Sequence, residues 1–181
     1  MHKKIAIRKK ALIDRQKKYF EVSSQFFKPL MRLLKNKKRN KITFLSIYYP
    51  SNHEVNVLKL FTLIKKKKIK TLLPTIRSKN KMNFVEWRHL DPLKVNSFGF
   101  LDPCLSKKFL TPDFMLVPLL AFDRLNNRLG YGKGFYDKFL STRKKIKTIG
   151  VAFSFQKYNK LPVTKLDIKL NYILTEKGLQ K

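Results

Sequence analysis

The chain has 181 residues, of which 43 % are hydrophobic and 13 % aromatic, so it is long and apolar enough to bury a core. No apolar run approaches the roughly 18 residues of a membrane-spanning helix, and the basic N-terminus lacks the apolar stretch of a secretory signal. The single cysteine, Cys104, excludes an internal disulfide and a cysteine-based metal cluster and favours a reducing cytoplasm.

The formal net charge of +31 is compatible with a surface that binds nucleic acid. The charge comes mainly from lysine, with 33 lysines against 9 arginines, and it is spread along the chain. Arginine is the residue that recognises phosphates and bases with a defined geometry, so no specific nucleic-acid partner is expected. Compositional drift in an AT-rich genome and a selected polyanion surface both remain open, and either would steer an anionic substrate toward the protein.

The N-terminal third predicts two helices followed by a strand. Residues 3–20 carry good helix formers with charges on most faces, which predicts a solvent-exposed helix. Ser23 and Ser24 can cap a second helix, in which Pro29 marks either the first turn or a kink. Its apolar residues recur at helical spacing, namely Phe26, Phe27, Leu30, Met31, Leu33 and Leu34. Residues 41–48 are rich in β-branched and aromatic side chains and predict a strand.

The remainder alternates predicted helix and strand. Residues 55–64 form an amphipathic pattern that ends in the lysine block 65–68, where lysines suit the helix dipole. Further strands are predicted at 70–73, 83–87, 114–118, 148–152 and 172–175, and the run 114–117 is apolar enough to be buried on both faces. Such alternation favours an α/β layer architecture with a largely parallel sheet. No linker or repeat divides the chain, so 1–181 is expected to form one domain.

The segment that carries chemistry lies at 117–137. Ala-Phe-Asp ends at Asp123, and Arg-Leu-Gly-Tyr-Gly-Lys-Gly-Phe-Tyr-Asp runs from Arg128 to Asp137. Alternate glycines let a backbone adopt positive φ and approach a ligand closely. The loop leaves an apolar strand and enters a helix near Gly134, so its free N–H groups and the helix dipole would point at an anion. Arg128 and Lys133 add positive charge, and Asp137 could hold Mg²⁺ beside phosphates.

Neither common phosphate-binding motif is present. The P-loop spacing and the dinucleotide Gly-x-Gly-x-x-Gly are both absent. A bare Gly-x-Gly-x-Gly also fits a tight strand-to-helix turn without any ligand. Likewise, Lys4 and Arg8 share a predicted helix face but could be two solvated charges. The residues by themselves therefore leave a phosphate site and a structural turn open.

The whole segment resembles the signature of 5-formyltetrahydrofolate cyclo-ligases, also called methenyltetrahydrofolate synthetases. Further segments resemble the same family in the same order along nearly the whole chain, at 4–8, 49–57, 98–103, 149–156 and 161–176. The resemblance implies a three-layer α/β/α fold with an open, largely parallel central sheet. The protein is expected to be a cytoplasmic enzyme and a monomer that is not bound to a membrane.

The resemblance further implies ATP as co-substrate, 5-formyltetrahydrofolate as substrate and Mg²⁺ as metal. ATP would contact Lys4, Ile5, Ala6, Ile7, Arg8, Arg128, Leu129, Gly130, Tyr131, Gly132, Lys133, Gly134, Phe135 and Tyr136. The folate would contact Tyr49, Glu54, Tyr131, Gly132, Lys133, Gly134 and Phe135. Magnesium would be held by Asp137 and Asp167. In the family's reaction the γ-phosphoryl group passes to the formyl oxygen and N10 then closes the ring, with Lys133 and Arg128 as the catalytic cations.

The sequence departs from the family pattern around Asp167. The usual Pro-x-Glu-x-His-Asp reads Pro-Val-Thr-Lys-Leu-Asp at 162–167, which puts Thr164 and Leu166 at the Glu and His positions. Asn171 replaces an expected aspartate, and Leu119 or Leu120 replaces a glycine before Ala-Phe-Asp. These changes predict weaker metal binding. A protein that binds folate or nucleotide without catalysis, and a basic nucleic-acid-binding module, remain the alternative functions.

Overall fold

The computed structural model describes residues 2–35, 42–65, 67–77, 81–97, 99–104 and 108–181. Residue 41 at the start of the predicted strand, Lys66 of the lysine block and Phe98 of the mid-chain motif lie outside these ranges.

Four α-helices lie in the described part of the chain. They are α1 (His2–Lys18), α2 (Lys28–Lys35), α3 (Phe61–Ile64) and α4 (Phe135–Leu140). Single 3₁₀ turns at Ser24–Phe27 and Val57–Leu60 lead into α2 and α3. Pro29 therefore falls in the first turn of α2, where its missing N–H is tolerated.

Twelve strands are described: β1 (Thr43–Ser46), β2 (Ile69–Arg77), β3 (Lys81–Glu86), β4 (Leu93–Val95), β5 (Leu101–Pro103), β6 (Phe114–Pro118), β7 (Ala121–Asp123), β8 (Arg128–Leu129), β9 (Lys147–Val151), β10 (Lys157–Tyr158), β11 (Tyr172–Thr175) and β12 (Gly178–Gln180). Seven of them form one sheet in the order β12-β11-β9-β6-β1-β2-β3. Its five inner strands are parallel and both edge strands are antiparallel. The expected α/β fold with a largely parallel central sheet is thus confirmed.

The position of β1 creates a crevice in this sheet. From β1 the chain continues to β2 on one side and later returns as β6 on the other side. In open α/β sheets such a reversal leaves space at the carboxyl ends of the two strands, and ligands bind there. The segments that follow β1 and β6 are therefore the expected walls of a site.

Apolar side chains cover both faces of the sheet, as the strand β6 illustrates. Phe114 and Leu116 pack in the cluster that includes α2 and α3, whereas Met115 and Val117 pack in the cluster that includes α4. All four are at most 4 % exposed. The alternation confirms that this run is buried on both faces and gives the three layers.

The structure also corrects two expectations. The predicted helix 55–64 is a 3₁₀ turn followed by only four α-helical residues. Helix α1 is not exposed on all sides, because Ala11 and Arg15 are 3 % and 1 % exposed. The short strands β4, β5, β7, β8, β10 and β12 were not predicted, since two- and three-residue pairings leave too little periodic pattern to recognise.

Candidate active site

One face of α1 points at the glycine loop 130–134. Residues 4, 8, 11 and 15 fall on a single helical stripe because their spacing follows the helical repeat. Lys4 Nζ lies 2.6 Å from Asp167 Oδ2, and Arg8 Nε donates to the Gly130 carbonyl at 2.9 Å. Arg15 Nη2 donates to the Tyr131 hydroxyl at 2.5 Å. Three cations of one helix thus contact three parts of the same site.

The glycine loop needs glycine where α1 approaches it. Gly132 has φ +104°, and a Cβ built on it would lie 3.2 Å from the Arg8 guanidinium carbon. Gly134 has φ +70° and precedes the first residue of α4. Positive φ is costly for other residues, so these two positions fix the loop's path between β8 and α4. The predicted strand-to-helix turn is therefore present, with a cation packed on its middle glycine.

Arg128 and Asp137 close the base of this loop. Arg128 is 8 % exposed, and its Nη2 donates to Asp137 Oδ1 at 2.9 Å. Its Nη1 donates to the Ile168 carbonyl at 2.7 Å, and the Ile168 N–H donates to the same Asp137 oxygen at 2.9 Å. Arg128 is thus held against protein groups on one side while it lines the cavity on the other. The arrangement also places Asp137 next to the backbone that follows Asp167.

Asp167 is held by donors from two directions. Its Oδ2 accepts from Lys4 Nζ, from the Thr164 N–H at 2.6 Å and from the Thr164 hydroxyl at 2.9 Å. Burial opposes ionisation of Asp167, but these hydrogen bonds outweigh it and lower the pKa of the carboxyl. Thr164 is therefore a direct partner of Asp167, whereas Leu166 contributes an 81 % exposed apolar side chain at the rim.

Asn171, the other departure from the family pattern, lies outside the cavity lining. Its Oδ1 accepts from the Thr148 N–H at 2.8 Å and the Thr148 hydroxyl at 3.0 Å. Asn171 therefore anchors the beginning of β9 to the segment before β11. Its effect on a metal would be indirect.

The two aspartates meet the minimum requirement for a magnesium site. Both line the cavity, and within the described residues each keeps one oxygen, Asp137 Oδ2 and Asp167 Oδ1, that accepts no hydrogen bond. The described residues contain no group of three or more His, Cys, Asp or Glu side chains that could hold a metal. Mg²⁺ commonly takes only one or two carboxylates and completes its shell with phosphates and water. The donor set fits a magnesium ion that arrives with a nucleotide.

Glu54 and Tyr131 form a further hydrogen-bonded pair in the site. The Tyr131 hydroxyl donates to Glu54 Oε1 at 2.9 Å, and the Ser51 N–H donates to Glu54 Oε2 at 3.0 Å. Burial raises the pKa of Glu54, although Arg15 and these hydrogen bonds partly offset the effect. Burial and the Glu54 charge raise the pKa of Tyr131 to about 12, so this phenol is a neutral donor at ordinary pH. The result is a buried carboxylate that accepts from the glycine loop.

A cavity of about 780 Å³ lies between these groups, within the size range of small-molecule sites. Its walls include Lys4, Arg8, Tyr49, Glu54, all residues 128–137 and Asp167. Its lining also includes the apolar residues Pro74, Ile76, Met82 and Phe100. Lys133 lies exposed on the loop. One cavity therefore offers both cationic side chains and apolar surface to a ligand.

Three of the predicted contacts are not brought to this cavity. Ile5 is 53 % exposed, Ile7 packs against Ala121 and Leu129, and Ala6 is absent from the lining. The sequence reasoning also missed Arg15, whose side chain donates to the Tyr131 hydroxyl. Asp123 of the Ala-Phe-Asp motif is 1 % exposed and accepts from Asn127 and from the Leu161 N–H, so it holds loops together outside the lining.

Comparison with known proteins decides the family. The model of the 5-formyltetrahydrofolate cyclo-ligase family matches residues 1–176. The chain belongs to this family. The cyclo-ligase of Haemophilus influenzae is 30 % identical over 138 residues, which are 72 % of this chain and 74 % of that protein. The cyclo-ligase of Mycoplasma genitalium is 34 % identical over 122 residues, with 65 % and 64 % of the two chains covered.

Solved structures agree with this membership. The 5,10-methenyltetrahydrofolate synthetase of Aquifex aeolicus superimposes with a TM-score of 0.76 at 30 % identity, covering 98 % of this chain and 92 % of that one. The synthetase of Mycoplasma pneumoniae gives a TM-score of 0.68 at 26 % identity, covering 94 % and 97 %. The chain is therefore related to ligases that act in folate metabolism. None of the described helices is long and apolar enough to cross a membrane.

Proposed function

We propose that this protein uses MgATP to convert 5-formyltetrahydrofolate to 5,10-methenyltetrahydrofolate, with release of ADP and phosphate. The observation that carries the proposal is one cavity that joins the Lys4, Arg8 and glycine-loop groups to the Glu54–Tyr131 pair. A nucleotide and a folate must meet in such a cavity if a phosphoryl group is to pass between them. The family membership supplies the reaction class.

The phosphates of ATP are assigned to the end of the cavity formed by α1 and the loop. Lys4 and Arg8 enter from α1, and the loop offers backbone N–H groups beside Lys133. Phosphoryl transfer asks a protein mainly for positioning and charge neutralisation. The pairing of Arg128 with Asp137 gives Arg128 a fixed orientation, which suits a group that must meet developing charge without rearrangement.

Asp137 and Asp167 are the groups that would hold magnesium. When bound, Mg²⁺ would neutralise phosphate charge and polarise the phosphoryl group. Magnesium on the free oxygen Asp167 Oδ1 would weaken the attraction between Asp167 and Lys4, so Lys4 would be able to turn toward phosphate. The Thr164 hydrogen bonds to Oδ2 would keep the Asp167 side chain in position.

The folate is assigned to the apolar end of the cavity. Tyr49 and Phe135 offer aromatic surface, and Glu54 offers the buried carboxylate acceptor for N–H groups of the reduced ring. The overlap of the two ligand sites at Tyr131 and Gly132 would place the formyl oxygen near the terminal phosphate.

The proposed reaction requires no covalent bond between the protein and a substrate. The formyl oxygen attacks the γ-phosphorus of ATP and ADP leaves. N10 attacks the activated formyl carbon, loses its proton, and the carbon–oxygen bond breaks as phosphate leaves with the former formyl oxygen. Loop N–H groups, Lys133 and Arg128 stabilise the charge on the transferring group.

Formation of the methenyl product, followed by its absorbance, tests this function. We expect product only when ATP, Mg²⁺ and 5-formyltetrahydrofolate are all present, with one phosphate released per product. ATP and folate binding without product would instead indicate a protein that has lost catalysis. Tight binding of a defined nucleic-acid sequence without turnover would favour a nucleic-acid-binding module.

A further inference from the structure

Arg15 is a buried cation whose partners belong to the candidate active site. It is 1 % exposed and does not line the cavity. Its Nη2 contacts the Tyr131 hydroxyl at 2.5 Å, and its Nη1 reaches the Leu119 carbonyl at only 3.4 Å. Among the described residues, its Nε has no hydrogen-bond partner. Burying a guanidinium with so few partners is costly unless its charge is used nearby.

The charge that Arg15 compensates is that of Glu54. Arg15 donates to Tyr131, and Tyr131 donates to Glu54, so a chain of two hydrogen bonds joins α1, the glycine loop and the segment after β1. The proton of the Tyr131 hydroxyl points at Glu54 because Arg15 occupies the oxygen from the other side. A side chain that served only packing would not need a positive charge at the position of Arg15.

Among the described residues, the other groups that hydrogen-bond to Glu54 or sense its charge are neutral. Ser51 donates its N–H and hydroxyl, and the phenols of Tyr48 and Tyr136 lie close enough to have their own pKa raised, first by burial and then by the Glu54 charge. Burial raises the pKa of Glu54, and Arg15 is the main influence that lowers it again. Arg15 is therefore the largest single influence that favours the ionised form of Glu54, ahead of the hydrogen bonds from Ser51 and Tyr131.

We propose that Arg15 is a positioning residue for the reaction: it aims the Tyr131 hydroxyl at Glu54 and thereby presents Glu54 to the folate as a charged acceptor. The inference rests on the proposed function for its substrate. The coupling between Arg15 and Glu54 can nevertheless be tested without substrate.

Titration of Glu54 by NMR provides that test. The chain has four glutamates, so in protein labelled with ¹³C at glutamate Cδ the Glu54 signal is identified by its loss in Glu54→Gln. We expect Arg15→Met to move the Glu54 titration to higher pH, because loss of the cation disfavours the carboxylate. Arg15→Lys retains a positive charge and should shift the Glu54 titration less than Arg15→Met does. Tyr131→Phe should also move the Glu54 titration to higher pH. An unchanged Glu54 titration in Arg15→Met would overturn the proposal.

Kinetics provide the readout that a structural role would not give. We expect Arg15→Met to raise the KM for folate roughly tenfold, the worth of a charge-assisted hydrogen bond, and to raise the KM for ATP much less. The acid limb of the pH profile for kcat/KM of the folate should shift to higher pH. Equal losses for both substrates with an unshifted profile would indicate a structural role only and contradict the proposal.

The coupling between Arg15 and Glu54 remains testable if a variant does not fold or if the protein shows no turnover. If Arg15→Met does not fold, Tyr131→Phe leaves α1 intact, and an unchanged Glu54 titration in that variant contradicts the proposal. If the wild-type protein shows no turnover, the proposed function fails, while the NMR titration still decides whether Arg15 controls Glu54.

Discussion

Lys4 and Asp167, which are 163 positions apart in the chain, form an ion pair of 2.6 Å beside the cavity. One is a candidate phosphate contact and the other a candidate magnesium ligand. Their side chains are 20 % and 26 % exposed, so solvent screens the pair only in part. Without ligands, these two charges therefore neutralise each other, and MgATP would compete with this contact.

Magnesium affinity without nucleotide is therefore expected to be low. Lys4 competes for Asp167, Arg128 competes for Asp137, and the net charge of +31 disfavours a free cation. Calorimetry with MgCl₂ alone should show no binding in the micromolar range. Micromolar affinity in the nucleotide-free protein would contradict this description of the site.

The two aspartates are expected to differ when each is changed to asparagine. Asp137→Asn removes a candidate metal ligand and also the partner of the buried Arg128, so it should nearly abolish turnover and lower the free energy of unfolding by about 1–3 kcal/mol. Asp167→Asn retains polar contact with Thr164 and should mainly raise the Mg²⁺ requirement. Turnover against Mg²⁺ concentration, together with chemical denaturation, measures both effects. Equal kinetic behaviour of the two variants would contradict the assignment.

Lys133→Ala should reduce turnover far more than stability. Lys133 is exposed, so the fold loses little contact. A transferring phosphoryl group would lose about 2–4 kcal/mol of stabilisation, by analogy with removal of one oxyanion donor. Lys145→Ala, an exposed lysine outside the cavity lining, is the matched control and should be unaffected. An unaltered kcat in Lys133→Ala would remove Lys133 from the mechanism.

Gly132→Ala is expected to impair nucleotide binding through Arg8. The new Cβ combines backbone strain of roughly 1–3 kcal/mol with a 3.2 Å contact to the guanidinium carbon of Arg8. The KM for ATP should therefore rise. Gly178→Ala is the control, because Gly178 also has positive φ, at +115°, but no atom within 4 Å of the added Cβ. Equal KM values for ATP in the two variants would show that the contact with Arg8 is unimportant.

Asp123 should make stability depend on pH in acid. Burial opposes its ionisation, but hydrogen bonds from Asn127, Leu161 and Leu125 outweigh it and lower the pKa of the carboxyl. A carboxyl with a lowered folded-state pKa stabilises the fold above its unfolded pKa of about 3.9 and loses this contribution as pH falls through the folded-state value. Asp123→Asn replaces hydrogen bonds to a charged group with weaker ones, so it should lower the free energy of unfolding at pH 7 by about 1–3 kcal/mol. The difference from wild type should narrow below about pH 4. A constant difference across this range would refute the linkage.

Polyanion binding is expected to be weak and strongly dependent on salt. Contacts between lysine and phosphate release counterions, so affinity for duplex DNA should fall steeply between low and physiological ionic strength. Tight binding to one defined sequence at about 150 mM salt would contradict a compositional origin of the charge.

Strongly periodic or fully apolar segments made most of the sheet predictable from sequence. The run 114–118 is an example, because burial on both faces leaves no ambiguity about its environment. Small pairings such as β7 with β10 depend on tertiary contacts, including the hydrogen bond from the Leu161 N–H to Asp123, which local sequence does not encode. The site was predictable where motif residues were spaced regularly. Arg15 escaped notice because, in so basic a chain, one more helical arginine carries no signal until its burial is known.

The central claim is that the formyl oxygen accepts the phosphoryl group of ATP. It is tested most directly with 5-formyltetrahydrofolate carrying ¹⁸O in the formyl group, MgATP and the wild-type protein, followed by mass analysis of the released phosphate. We predict one ¹⁸O atom in each phosphate that accompanies a methenyl product. Methenyl product formed together with unlabelled phosphate would contradict the account.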